Sequence, residues 1–589
     1  MYYVLDIPWG FYKPAEVKYL SNKKIYVYSG ETLPESLKQF RAPLFSRGRW
    51  IEDDLNKKVS LIPKPETQFH PKPHQTEAGK KIAASYAKGW SGFLLADKTG
   101  VGKTLSALTG VGMIAKLDGK DSANRGNLLV VCPKSAIPQW RQTIRNFQAI
   151  HPLLRVVITN YQQLSKFLDL PKLDPKAKKT TRRVKKGRQI AREGRPNTHF
   201  DYIVFDESHH LKNYPSSNAS LMAETISGSN KVYRKGSSPF VIYSTATPGS
   251  SPLNFAMMSG FVSKLLNPQL QSYITPKLWG AFLEKEKFFV TKGKNGYIWA
   301  SPPWGKKNPT AQEKASYEAA LREVKAKQRK DAQRIGKALT RAGAPFIMRS
   351  PKDIAGWPEQ QIIPLPIELD VKQRQIYNEA WTRFKRWLKL TPAKSDPKGA
   401  LVEMLRYRQK TSLLKVDTLA EIIEDWVEQD KQVYVSLEFL ETVHLLKEAL
   451  EKKGIPVSEV SGRTSEMREQ ERLRFQKGIS KVVIATVVSA ISFHSGETLP
   501  DGSKATSAER ITILGDIRQN PLDSIQALGR AHRDGQNSIV YVPFIEDSVD
   551  KKIVDSFVNK VINTEVMTGK NVAEAEELEA IFRSDVNHS

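Results

Sequence analysis

Two arginines, Arg530 and Arg533, stand one helical turn apart in Gln526-Ala527-Leu528-Gly529-Arg530-Ala531-His532-Arg533-Asp534-Gly535-Gln536. On a helix this spacing turns both guanidinium groups to one face, as a pair of arginine fingers reaching a polyphosphate requires. Taken alone, the pattern is equally that of a solvated basic face. Far upstream lies Leu95-Ala96-Asp97-Lys98-Thr99-Gly100-Val101-Gly102-Lys103-Thr104, entered from the apolar Gly92-Phe93-Leu94-Leu95 and followed by Leu105-Ser106-Ala107-Leu108. It reads as a phosphate-binding loop between a strand and a helix. Gly100 and Gly102 let backbone N–H groups crowd around the oxygens of ATP, Lys103 neutralises them, and the Thr104 hydroxyl coordinates Mg2+. Asp97 occupies the place of the first glycine of G-x-x-x-x-G-K-T, so the pattern is incomplete by itself.

Its partner is Asp201-Tyr202-Ile203-Val204-Phe205-Asp206-Glu207-Ser208-His209-His210, an apolar strand that delivers two adjacent carboxylates from its carboxyl end. Asp206 is expected to hold Mg2+, and Glu207 to orient and deprotonate the attacking water. An acidic pair after a strand often merely opens a loop; Lys103 upstream and the arginine pair downstream favour the catalytic reading. Adjacent side chains such as His209 and His210 rarely converge on one ion, and no cysteine cluster accompanies them.

Asp206-Glu207-Ser208-His209, Ser244-Thr245-Ala246-Thr247-Pro248 and the arginine-pair segment occur in the order found in superfamily 2 helicases. The chain resembles most closely the Swi/Snf-type DNA translocases of that superfamily, over residues 70 to 560. Lys72-Pro73-His74-Gln75 is similar to the family's adenine-reading glutamine motif, so the resemblance assigns Gln75 to the base and Gln526 to the nucleotide. Val130-Val131-Cys132-Pro133-Lys134-Ser135 with Pro138-Gln139-Trp140, and Ile158-Thr159-Asn160-Tyr161, resemble two nucleic-acid-contacting motifs. Pro345-Phe346-Ile347-Met348-Arg349 resembles the family's link between its two motor lobes. Val433-Tyr434-Val435-Ser436, and Ser461-Gly462-Arg463-Thr464-Ser465 before Arg472-Leu473-Arg474-Phe475, resemble the opening of the second lobe. By this resemblance Lys134, Ser135, Asn160, Ser436, Thr464 and Thr486 contact nucleic acid, while Thr245 and Thr247 couple the ATP cleft to the track. Any of these hydroxyls could instead cap or bond locally.

Composition bounds the reading independently. The chain has 589 residues, 40% hydrophobic, enough for several domains with buried cores. Lys and Arg outnumber Asp and Glu by 91 to 62, a net +29, which favours a polyanionic partner over an acidic small molecule. The single cysteine, Cys132, precludes an intramolecular disulfide framework and fits a reducing cytoplasm. No apolar run reaches the length of about 18 residues that spans a bilayer, and the N-terminus lacks a signal peptide's layout, so neither secretion nor membrane insertion is expected.

These residues require elements to carry them: an α/β chain of two RecA-like parallel-sheet lobes with helical insertions and a small N-terminal β-containing appendage. The appendage spans 1–65, where Lys24-Ile25-Tyr26-Val27-Tyr28 alternates as a strand does. The first ATP-binding lobe spans 66–350, with a basic loop at 171–197 and a helical insertion at about 255–349. The second lobe spans 351–560, led in by helices at about 370–430. An acidic helical tail occupies 561–589, with Glu574, Glu576, Glu577 and Glu579 around Leu578, Ile581 and Phe582. Two departures from the family stand out. Ser489 and Ser492 occupy Ile484–His494 where glycines are usual, and Lys98 stands where an acidic residue is common.

The leading expectation is a monomeric ATP-driven translocase on double-stranded DNA that remodels protein–DNA complexes or branched DNA, with a replication or repair protein as a further partner. Its alternatives are a strand-separating DNA or RNA helicase, and a nucleic-acid-binding scaffold with a silent ATPase. In the basic loop, lysines and arginines from Lys172 to Arg195 are opposed only by Asp174 and Glu193. Such a run is commonly just a mobile solvated segment; beside the track it would attract phosphates without regard to sequence. In the second case, neutralising the run weakens DNA binding and flattens its salt dependence; unchanged affinity across salt concentrations rules this role out.

Overall fold

A computed structural model describes residues 2–5, 16–20, 25–38, 41, 44–46, 49–52, 69–98, 100–169, 195–229, 233–293, 296–299, 311–350, 353–355, 360–390, 397–462, 467–486, 491–497, 499, 503–518, 524, 527, 529–531 and 538–545. The basic loop up to residue 194, the tail 561–589, and Thr464, Ser489, Gln526 and Arg533 lie outside them.

Strands that read as continuous apolar runs become central parallel strands, because helices cover both sheet faces. The first sheet has eight strands in the order Phe346–Ile347, Gly92–Leu95, Phe240–Ser244, Tyr202–Asp206, Gly126–Cys132, Leu154–Asn160, Leu44–Ser46, Arg49–Trp50. The first six are parallel, and Leu44–Ser46 runs antiparallel to both of its neighbours, Leu154–Asn160 and Arg49–Trp50. Alternation along each strand feeds two cores. Phe93, Leu95, Leu128, Val130, Tyr202, Val204 and Ile242 face one, Leu94, Leu129, Val131, Ile203, Phe205 and Tyr243 the other. Helices Pro73–Ala87 and Lys103–Leu117 supply Ala78, Ile82, Leu108 and Val111 to the first core.

The N-terminal residues form a three-stranded antiparallel sheet of Tyr2–Leu5, Ile25–Ser29 and Val17–Leu20, in which Val27 and Val4 pair. The strands Leu44–Ser46 and Arg49–Trp50, within the same stretch, are the outer strands of the first sheet. Leu44 pairs with Val157, and Trp50 is buried in the first core under the Arg141 guanidinium, 4.6 Å from its ring. The insertion after the first lobe is helical, as expected, in Ser259–Leu266, Trp279–Lys285 and Ala311–Leu339. It also holds a hairpin, Val290–Gly293 with Gly296–Trp299, that the sequence did not signal. Asp331 of the long helix accepts bonds from Phe289 N (2.8 Å) and Trp299 Nε1 (3.0 Å), docking the two together.

The second sheet is wholly parallel, in the order Gln360–Ile367, Ser538–Ile545, Arg510–Leu514, Gln432–Ser436, Val482–Ala485, Val457–Val460. Helices Val416–Glu428 and Leu440–Lys452 cover one face through Leu419, Ile423, Val443 and Leu446. The lobes pack on each other, since one apolar cluster includes both Phe205 and Tyr243 of the first and Leu514, Ala527, Val540 and Val542 of the second. Two RecA-like parallel-sheet lobes with helical insertions are therefore what the chain forms. Among the described residues no helix is long and apolar enough to cross a membrane.

Because Trp50 is 1% exposed and joins the outer strands to the first core, Trp50→Ala is expected to destabilise that lobe by about 3–5 kcal/mol. Urea unfolding followed by tryptophan fluorescence should show the first transition at lower denaturant, with the second-lobe transition unmoved.

Candidate active site

Parallel strands bring their carboxyl ends to one edge of a sheet, where open α/β proteins bind ligands. In the first lobe that edge collects the loop after Leu95, the carboxylates after Phe205, and Ser244-Thr245, because Ser244 pairs with both Leu95 and Asp206. Gly100 and Gly102 sit at φ 102 and 91, and a Cβ on Gly102 would lie 2.2 Å from Gln75 Nε2. Only glycine fits there. Lys103 opens the helix that follows and donates to Asp97 O (3.0 Å) and Lys98 O (3.4 Å). Burial lowers the pKa of its ammonium, against the opposing pull of Glu207, Asp206 and Asp97.

Asp97, the departure from the glycine pattern, is completely buried and paired with Arg349. Arg349 Nη2 lies 2.5 Å from Asp97 Oδ2 and Nε 3.2 Å from Oδ1, the two-pronged geometry guanidinium groups favour. Arg349 Nη1 also donates to His74 O, and Lys98 N donates to Arg349 O at 2.8 Å. The end of the first lobe is thereby fastened to the phosphate loop and to the glutamine segment. Gln75 itself is engaged locally, accepting from Lys72 N (2.9 Å) and donating to Val101 O (3.4 Å).

Asp206 ends the strand Tyr202–Asp206 and Glu207 follows it, both buried. Glu207 adopts φ 50, a left-handed conformation that costs a non-glycine residue free energy and recurs at functional sites. Burial, then the neighbouring Glu207 charge, pushes the Asp206 carboxyl up, while the Trp140 indole N–H and Lys103 pull it down. Burial would raise Glu207 too, but His209, Lys103 and Arg530 outweigh it and hold that carboxyl below the usual range. Of the two carboxyls, Glu207 is the one whose surroundings favour the ionised form, the form a base requires. His209 Nδ1 lies 3.4 Å from Glu207 Oε2 and 3.2 Å from Thr245 Oγ1, and Thr245 Oγ1 accepts from Thr247 N at 3.1 Å.

The second lobe contributes Arg530. It lies in the turn Gly529–Ala531 rather than on a helix as the spacing predicts, helical structure being present at Ser524 and Ala527; glycine is a poor helix former. Ala531 anchors the turn in an apolar cluster with Tyr434 and Phe493, and Arg530 O accepts from Phe493 N. Arg530 is 4% exposed; its Nη1 donates to Ile491 O (3.2 Å), and Nη2 faces Glu207 Oε1 across the lobes at 3.9 Å. Its Nε and Nη2 are buried and have no hydrogen-bond partner among the described residues. A buried cationic edge left unsatisfied next to Lys103 suits phosphate oxygens.

Thr104 and Asp206 would hold Mg2+. Among the described residues no three His, Cys, Asp or Glu side chains converge on one cation point. One carboxylate and one hydroxyl, completed by phosphate and water, suit magnesium, which seldom takes an all-protein cage. The bound ion would offset charge on the phosphates.

Lys103, Asp206, Glu207, Arg530, Thr245 and His209 are brought together. The expected nucleic-acid contacts are placed less uniformly. Lys134 is exposed and Thr486 half-buried, each just past the end of a strand. Asn160 caps the turn that follows it, accepting from Gln162 N at 3.1 Å. Ser436 is fully buried, and its hydroxyl accepts from Arg518 Nη2 at 3.3 Å. His209, Arg349 and the indole of Trp140 belong to the site without having been assigned to it; their partners lie too far along the chain for spacing to signal, His209 excepted.

The SNF2-related domain family matches residues 74–237, and the helicase conserved C-terminal domain family matches 414–535. A putative ATP-dependent RNA helicase of Acanthamoeba polyphaga mimivirus is 25% identical over 30% of this chain and 31% of its own. The ISWI chromatin-remodeling complex ATPase of Arabidopsis thaliana is 22% identical over 81% of this chain and 41% of its own. The chain thus spans less than half the length of these relatives. The Sulfolobus solfataricus SWI2/SNF2 ATPase core in complex with dsDNA aligns over 90% of this chain and all of that one, at 16% identity and a TM-score of 0.30.

Removing Asp97 would strand a buried guanidinium, so Asp97→Ala is expected to cost about 3–5 kcal/mol, with Asp97→Ala/Arg349→Met recovering most of it. Thermal unfolding of the two variants provides the comparison. Equal losses would show that a stranded guanidinium is not what destabilises Asp97→Ala.

Proposed function

We propose that this chain, which belongs to the Snf2-type superfamily 2 helicase-like ATPases, couples ATP hydrolysis to movement along double-stranded DNA. The observation that carries the reading is the buried Arg530 of one lobe facing Glu207 and Lys103 of the other, with two donors unsatisfied among the described residues. Such a site is complete only when the lobes meet. Lys103 and the amides after Gly100 bind the triphosphate, and Asp206 and Thr104 would hold the magnesium ion that offsets its charge. Glu207, kept ionised by His209, Lys103 and Arg530, accepts the proton of the attacking water. Arg530 meets the charge that develops on the transferred phosphoryl group and, with Lys103, excludes bulk water. Arg533 and Gln526 are proposed to act beside it.

Once the phosphoryl group leaves, the attraction holding Arg530 across the cleft weakens, so hydrolysis is linked to an opening and closing of the lobes. The contact from Glu207 through His209 to Thr245 and Thr247 runs from the base towards the next strand end, and is the path we assign to coupling. The net +29 charge supports a polyanionic track. Duplex DNA as that track rests on the resemblance of the motif set to the Swi/Snf-type DNA translocases, a family reading that the SNF2-related match over residues 74–237 supports. Lys134, Ser135, Asn160, Thr464 and Thr486 are proposed to touch its phosphates, with Ser436 acting through Arg518.

ATP turnover measured in parallel with no nucleic acid, duplex DNA, single-stranded DNA and RNA tests the reading. Stimulation selective for duplex supports it. Equal stimulation by single strands or RNA replaces it with a strand-separating helicase, and no turnover in a folded sample with a scaffold. Glu207→Gln should leave ATP binding intact and lower turnover by about 10²–10⁴-fold, and Lys103→Ala should weaken both. Arg530→Ala should lower turnover by about 10³-fold or more with little loss of binding. Normal turnover in Glu207→Gln would remove the base assignment.

A further inference from the structure

Asp206 is the meeting point of three hydrogen bonds, two from the ends of other strands and one from the helix that follows a third strand. Trp140 Nε1 donates to Asp206 Oδ2 at 2.7 Å, Ser244 Oγ to Oδ1 at 3.3 Å, and the Tyr161 hydroxyl to the Asp206 backbone carbonyl at 2.6 Å. Trp140 and Tyr161 are 1% and 5% exposed, so both bonds form away from water. Trp140 sits on the helix Ile137–Asn146 that follows the strand Gly126–Cys132, and Tyr161 opens the turn after Leu154–Asn160.

We propose that Trp140 and Tyr161 are positioning residues for Asp206, and that through them the segments Lys134–Ala136 and Tyr161–Phe167 set how tightly Asp206 holds Mg2+; this rests on the ATPase reading above. A packing role alone would leave the indole N–H free to meet any acceptor. Here it meets the one carboxylate the site needs for its metal. An indole N–H only donates, so it fixes the rotation of the carboxylate by engaging a lone pair and leaves others for the ion. Partners that orient a metal ligand in this way commonly change metal affinity 10–100-fold when lost.

The same two residues reach the protein surface through their own segments. The turn Lys134–Ala136 runs straight into the helix carrying Trp140, and Lys134 is exposed. A polyanion drawn to Lys134 therefore bears on the turn that leads directly into the first helical turn carrying Trp140, whose indole holds Asp206. Asn160, just before Tyr161, stands at the neighbouring strand end, where Cys132 and Asn160 pair. Two adjoining strand ends, one of them leading to the exposed Lys134 and the other ending in the buried Asn160, thus connect by one side chain each to a single metal-holding residue.

The test uses the full chain with Trp140→Phe, which removes the N–H and keeps an aromatic ring, and Tyr161→Phe, which removes only a hydroxyl. Two titrations against Mg2+ are read: binding of a fluorescent ATP analogue, and ATP turnover with and without duplex DNA. In Trp140→Phe the Mg2+ concentration for half-maximal binding and turnover should rise by about 10-fold or more, with analogue affinity at saturating Mg2+ unchanged and stimulation by DNA reduced. Tyr161→Phe should shift both in the same direction by less, and carries the test alone if Trp140→Phe does not fold. Folded variants that match the wild type in Mg2+ midpoint and DNA stimulation overturn the positioning role and leave the ATPase reading standing. A wild-type chain with neither Mg2+-dependent analogue binding nor turnover overturns both.

Discussion

Charge taken out of water must be balanced where it is buried, and this constraint organises the molecule. Lys103, Asp206, Glu207 and Arg530 share one poorly hydrated volume, two cations against two carboxylates. None of the four would be stable there without the others. Three come from the first lobe and one from the second, so the electrostatic balance is a property of the pair of lobes. A second buried pair, Asp97 with Arg349, applies the same rule where the chain leaves the first lobe. The apolar cluster that runs from Phe205 to Val542 supplies non-directional attraction between the lobes; the charges give their approach a direction.

Strand direction explains why so few residues suffice. With six parallel strands side by side, a side chain placed just after any of them arrives at the same edge, whatever its distance along the chain. Trp140 and Asp206 are 66 residues apart, and Asp97 and Arg349 252, yet each pair is in hydrogen-bond contact. The sheet turns sequence distance into lateral position, leaving local chemistry to decide what each edge residue does.

That geometry also marks the boundary of what the sequence discloses. The phosphate loop and Asp206-Glu207 were legible because each follows a short apolar run fully buried by helices, and their residue types have few other uses together. The two-lobe architecture followed from the same alternation of strands and helices. Asp97 was noticed as an irregularity, but its partner Arg349 could not be found by spacing, since the contact depends on the strand Phe346–Ile347 returning to Leu94 and Leu95. Ser436 is buried and bonded to Arg518 because its strand runs through the middle of the second sheet. The turn at Arg530 departs from the helical spacing because Gly529 precedes it and Ala531 is held in the core beside Tyr434. Tertiary packing decides each of these, and none has a local pattern.

The antiparallel strands Leu44–Ser46 and Arg49–Trp50 lie at the outer edge of a sheet that would otherwise end at Leu154–Asn160. A parallel edge strand left open presents a row of unpaired backbone groups, a template for adding another chain. The SNF2-related match begins only at residue 74, after both strands. A fragment cut at that point would keep the residues of the phosphate loop while uncovering the edge beside Asn160. The residue at which the family match begins and the residues that cover this edge of the sheet are therefore separate parts of the chain.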